Sequence, residues 1–214
     1  MKISREYGGW VTASLTFILS LSLCFKSGRI SIVCIIIWIP VFIGLIFFDN
    51  NKDEIPVYMK ITIVILFVIS LFLFIYIIIP YSFFLSSYVL KHKRMKNYLV
   101  TLTGIAGESL MLAVSMSISG YSSFYVPALI FIYLYGAEFG VQSFIRRNFY
   151  VSLYNILPAI FFILGYSAFI ICLVRLSYFK LKNIKILGVL ETMLYAIIII
   201  SIMAGFKIPP FGQV

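Results

Sequence analysis

Apolar runs of about 20 residues recur from one end of this chain to the other, each long enough to cross roughly 30 Å of hydrocarbon as a helix. Few architectures accept that pattern. In lipid, every backbone N–H and C=O must be satisfied within the protein, which leaves α-helices or closed barrels. Barrel strands alternate apolar and polar residues, whereas these runs are apolar on all sides. The chain therefore reads as all-α: a polytopic transmembrane helical bundle, one integral domain over residues 1–214, multi-pass in the cell membrane. Composition agrees, with 63% hydrophobic and 11% charged residues, where soluble domains carry about 45–50% apolar residues.

Polar punctuation divides the chain into spans of about Tyr7–Phe25, Ile30–Phe48, Val57–Leu90, Asn97–Ile118, Phe124–Ile145, Tyr150–Leu176 and Ile186–Phe206. The third run would extend roughly 50 Å as a single helix, more than a bilayer core. It is either one helix broken near Pro80 or two short ones. No turn signal interrupts Ile61–Ile79, which favours the broken helix and a total of seven spans, with eight as the alternative. Under seven spans the basic residues divide eight against nine between the two sides, and the positive-inside rule gives no orientation. Splitting the third run moves the Lys91–Lys96 cluster to the amino-terminal side and sharpens the bias.

The formal charge of +10 sits in short connections, where anionic lipid head groups and topology account for it. Membrane lipids are the expected partners, with partner membrane subunits as a further option; nothing points to nucleic acid. Cys24, Cys34 and Cys172 lie within apolar runs without CxxC spacing, and supply neither a disulfide framework nor a zinc site. With His92 as the single histidine, a bis-histidine haem cannot form. Phosphate-binding GxxxxGK[ST], HExxH and GxSxG motifs are absent from the sequence.

The sparse carboxylates are the informative residues, because an ionisable group within apolar helices is costly and marks a functional candidate. Glu108 sits mid-run among Gly104, Ala106, Gly107 and Ser109, small residues that allow close helix packing. Glu138, Gln142 and Arg146 are spaced i, i+4, i+8 and so share a helix face, extended by Tyr135 and flanked by Gly136 and Gly140. Such a strip lines a cavity or proton path, or else makes interhelical hydrogen bonds while Arg146 snorkels outward. Counted from their basic connections, Glu108 and Glu138 fall at similar depth, so a shared proton is one expectation. Glu6, with Trp10 in the interfacial aromatic belt, and Glu191 near the start of the last span form a second, interfacial pair. Both of those carboxylates also suit helix starts, where the dipole favours negative charge. Asp49 and Asp53 are weak metal candidates: Mg²⁺ is the cofactor only if the chain is an enzyme, and no cofactor is otherwise expected. A solvated acidic loop is the better reading of them.

Arg5-Glu6-Tyr7-Gly8-Gly9-Trp10, followed directly by an apolar run, resembles the EHGAW-type opening of YwiC-like multi-pass membrane proteins. Tyr76–Pro80 running into Lys91–Arg94, and Leu187-Gly188-Val189-Leu190-Glu191, continue the resemblance. Tyr7 stands where the family signature carries histidine, which removes any role for that imidazole. The family looks like UbiA-type prenyltransferases in hydropathy, but their paired Asp-rich motifs are missing here. The resemblance adds weight to Glu6 and Glu191 and implies a membrane protein without defining an activity. Three classes follow: a proton- or solute-coupled transporter using Glu108 and Glu138, a UbiA-like enzyme on isoprenoid or lipid substrates using Glu6, Glu191 and the Asp49–Asp53 cluster, and a non-catalytic subunit.

Overall fold

The computed structural model describes residues 7–26, 32–49, 56–73, 75–93, 97–121, 125–153, 171 and 174–203, and every regular element among them is helical. The chain packs as two compact units, Met1–Pro127 and Ala128–Val214.

The first unit contains α1 (Tyr7–Lys26), α2 (Ile32–Asp49), α3 (Val57–Leu73), a 3₁₀ turn (Ile75–Ile77), α4 (Ile78–His92) and α5 (Asn97–Ile118). Two pairs of contacts fix each direction. Trp10 stacks on Phe42 while Cys24 meets Cys34, so α1 and α2 are antiparallel. Thr12 meets Glu108 while Cys24 meets Ser119, so α1 and α5 run parallel. Ser87 Oγ donates to the Val100 carbonyl across the α4–α5 connection. A Cβ on Gly107 would lie 3.1 Å from the Phe84 ring, so the bare glycine lets these two helices close on each other. Ile37, Trp38, Val41, Ile77, Tyr81, Met111 and Val114 form the core between them.

The run Val57–Leu90 is not a single broken helix. The Phe67 and Tyr81 rings lie 5.3 Å apart, whereas 14 residues along one helix would separate them by about 21 Å. The chain reverses through the Ile75–Ile77 turn, upstream of Pro80, which instead occupies the first turn of α4. An N–H there has no intrahelical acceptor in any case, so proline costs nothing. The turn escapes sequence reading because its residues, Ile75 and Tyr76 among them, are as apolar as the helices it joins.

The second unit holds most of α6 (Tyr125–Arg146), α7 (Phe149–Leu153), a 3₁₀ turn (Tyr178–Lys180) and α8 (Ile184–Met203). Arg147 ends α6 in the left-handed region, φ 50°. Its guanidinium donates to the Phe179 carbonyl (3.2 Å) and to that of Leu181. The Phe149 and Phe179 rings lie 5.5 Å apart. The two ends of the expected span Tyr150–Leu176 are thus side by side, where a straight helix of that length would hold them about 40 Å apart. Most of that expected span, residues 154–170, 172 and 173, lies outside the described residues.

Among the described residues, Leu99–Ile118 and Tyr125–Arg146 are long and apolar enough to cross a membrane, and Trp10–Phe25, Ile32–Ile46 and Val57–Leu73 are apolar but shorter. The described helices do not support seven spans.

Candidate functional site

In the first unit, α1 presents Thr12, Thr16, Ser20 and Cys24 at i+4 spacing, which places all four on one helix face. That face meets α5. Thr12 Oγ1 donates to Glu108 Oε2 (3.1 Å) and Thr16 Oγ1 to Glu108 Oε1. Glu108 is 6% exposed and Thr16 fully buried. Thr16 Oγ1 also lies 2.9 Å from the Thr12 carbonyl, one turn back. A hydroxyl has a single proton to give. With Glu108 ionised, Thr16 donates to the carboxylate; with Glu108 protonated, the carboxyl can donate to Thr16 while Thr16 donates to the Thr12 carbonyl. The same three groups satisfy both charge states without repacking. No cation faces Glu108 among the described residues of its unit; both oxygens accept from neutral hydroxyls.

The polar row continues beyond Glu108. Ser20 Oγ donates to the Thr16 carbonyl (2.9 Å), and Cys24 Sγ lies 2.7 Å from Ser119 Oγ. Ser119 in turn donates to the Ser115 carbonyl, while Trp38 Nε1 donates to Ser115 Oγ (3.0 Å). Ser20, Cys24, Ser115 and Ser119 are all buried. The result is a seam of hydroxyl and thiol groups from Glu108 to the end of the unit where α1 and α5 close.

In the second unit, Glu191 has a different kind of partner. Arg175 Nε donates to Glu191 Oε1 (2.8 Å) and Nη2 to Oε2 (2.7 Å), a forked ion pair. Arg175 Nη1 donates to the Tyr133 carbonyl (3.1 Å), and its Cζ lies 4.3 Å above the Tyr133 ring. Tyr133 Oη donates to Glu191 Oε2 (3.1 Å), and its ring stacks on Tyr195 at 5.1 Å. Arg175 is 2% exposed, so the charge is held wholly inside the unit. Tyr178 packs beside this pair, its Oη buried without a hydrogen bond of good geometry. Burial, reinforced by the charge of Glu191, pushes its phenol up from the ordinary tyrosine range.

Each expected site residue has its own surroundings within its unit. Glu108 binds threonines of α1. Glu138 accepts from Gln142 Nε2 (2.9 Å) on its own helix, the i, i+4 neighbour on the shared face, and Arg146 is exposed at the end of α6. Glu191 lies two turns inside α8, which has no acidic residue in its first turn, so the dipole at the helix start is not what holds it. Trp10 packs against Phe42. Asp49 is the last residue of α2; Asp53 and Glu6 lie outside the described residues. Among the described residues no three His, Cys, Asp or Glu side chains gather as a metal would require.

Sequence reasoning missed Thr12, Thr16, Arg175 and Tyr133. The i+4 row on α1 was a readable signal for the threonines. Arg175 resembled an interfacial charge, and only its position opposite Glu191 distinguishes it. Comparison with protein-family models, with curated proteins and with solved structures returns no match.

Proposed function

We propose that the chain is a multi-pass protein of the cell membrane, YwiC-like in type, in which Glu108 is the protonatable centre of a proton- or solute-coupled transport activity. The observation that carries this reading is the Thr12–Thr16–Glu108 relay, whose hydrogen bonds can be completed in either protonation state. The buried seam running from it toward Cys24 and Ser119 supplies a polar route through apolar packing.

Membrane residence draws support from the outer faces of α3 and α4. Val57, Val64, Phe72, Ile79 and Leu85 are exposed, Phe72 to 89%, a surface suited to lipid rather than water. Orientation follows from charge. In the first unit, Lys2, Arg5, Lys52, Lys60, Lys91, Lys93, Arg94 and Lys96 belong by chain order to the end where α1 and α3 begin, against Lys26 and Arg29 at the other. In the second, Arg146, Arg147, Lys180, Lys182 and Lys185 cluster where α6 ends and α8 begins. The positive-inside rule assigns both basic ends to the cytoplasm. A UbiA-like enzyme with Mg²⁺ on Asp49 and Asp53 has less support, because Glu191, its expected companion, is already neutralised by Arg175.

The test is pH-difference infrared spectroscopy on the purified protein between about pH 5 and pH 9, the range open to buried carboxyl groups. A protonated-carboxyl C=O band that grows as pH falls, present in Glu138→Gln and absent from Glu108→Gln, is expected. The same band in Glu108→Gln overturns the assignment.

A further inference from the structure

We infer that Cys24 and Cys34 are a redox-active dithiol that closes to a disulfide between α1 and α2. The two sulfurs stand 3.0 Å apart, on facing turns of antiparallel helices, and both side chains are buried. About 1 Å of further approach reaches disulfide bonding distance, which a change of side-chain torsion can supply. Neighbouring polar atoms hold both thiols in place opposite each other. Ser119 Oγ lies within hydrogen-bond distance of Cys24 Sγ, at 2.7 Å, and the Ser115 carbonyl lies 3.9 Å from Cys34 Sγ. Sequence spacing concealed the pair because its partners are ten residues apart, on opposite arms of a hairpin.

Position supports the assignment. The pair belongs to the end of the first unit bearing Lys26 and Arg29 alone, the end that the orientation proposed above places outside the cytoplasm. Thiols persist inside the cytosol and are oxidised outside it. The geometry of the pair stands independently of that orientation and of the role of Glu108.

The chemistry balances with a small peroxide as oxidant, a molecule able to reach buried sulfur. Cys24 Sγ attacks one peroxide oxygen, the O–O bond breaks, water leaves and a sulfenic acid forms. Cys34 Sγ then attacks Cys24 Sγ and displaces the hydroxyl as a second water. Two thiols and one hydrogen peroxide become one disulfide and two waters. A dithiol reductant reverses the step by thiol–disulfide exchange. Closure fastens α1, with its row of Thr12, Thr16 and Ser20, to α2.

The purified full-length protein, reduced and then treated with hydrogen peroxide, is denatured and counted with maleimide. The chain has three cysteines, so three labels become one, carried by Cys172, and return to three after dithiothreitol. Trypsin cuts at Lys26 and Arg29 between the two cysteines, so the oxidised protein yields two peptides joined by a disulfide and lighter by two hydrogens. Cys24→Ser keeps both remaining labels and gives no joined peptide. Three labels after peroxide, sulfinic acid at either position without cross-linking, or a cross-link through Cys172 would each overturn the assignment.

Discussion

Glu108 and Glu191 are both carboxylates inside apolar helices, yet the two units satisfy them by opposite means. In the first, neutral hydroxyls of α1 approach the carboxylate and no cation does so among the described residues of the unit. In the second, a buried guanidinium forks onto it, with a tyrosine hydroxyl completing the shell. A hydroxyl can reverse its role from donor to acceptor, while a guanidinium can only donate. The first arrangement therefore leaves protonation free to change, and the second fixes the charge and with it the packing. Identical residue types in similar apolar surroundings become a candidate working site in one place and a structural lock in the other.

The sharpest way to break this comparison is to remove the cation. Arg175→Met leaves Glu191 buried and unpaired, and denaturant unfolding in detergent should register a loss of about 3–5 kcal/mol. The double variant Arg175→Met with Glu191→Leu should recover most of that loss, because the lock then has no orphaned charge. If the single variant unfolds like the parent, the pair is not a lock. In the first unit, Thr16→Val deletes one hydroxyl donor to Glu108, and the same measurement should show about 1.5–3 kcal/mol with the carboxylate ionised and about 0.5–1.5 kcal/mol with it protonated. Glu108→Gln should cost less than Glu191→Gln, since the amide carbonyl still accepts from a threonine, whereas Arg175 would lose its counter-charge. Equal losses from the two amides would erase the distinction between the sites.

Smaller effects sharpen the boundary of the lock. A Cβ on Gly140 would stand 3.0 Å from the Tyr178 ring and 3.7 Å from Arg175. Gly140→Ala should therefore destabilise by about 1–3 kcal/mol through overpacking, read as a lowered unfolding midpoint. Glu138→Ala removes the hydrogen bond with Gln142 on its own helix face, a pair worth about 0.2–0.5 kcal/mol. A larger loss there would place Glu138 in a network beyond Gln142.

Relations within one helix were legible before any tertiary information. The Glu138–Gln142 pair follows from the 3.6-residue period, and the tight packing at Gly107 and Gly140 follows from the lack of a side chain. The reversal at Ile75–Ile77 was not legible, because its residues are apolar and carry none of the polarity that marks turns in water. Nor was the placement of Phe149 beside Phe179, where Arg147 reaches carbonyls 32 and 34 residues along the chain.

The amino-acid sequence establishes that this chain is helical and strongly apolar, and that its few carboxylates within apolar runs need partners. Composition and period suffice for that, because backbone satisfaction and helix geometry are local. Which partner each carboxylate received was decided by tertiary structure alone: Thr12 and Thr16 for Glu108, Arg175 for Glu191, and likewise Cys34 for Cys24. Those choices depend on which faces of separate helices meet and in which direction they run, and the period of a single helix carries no information about either.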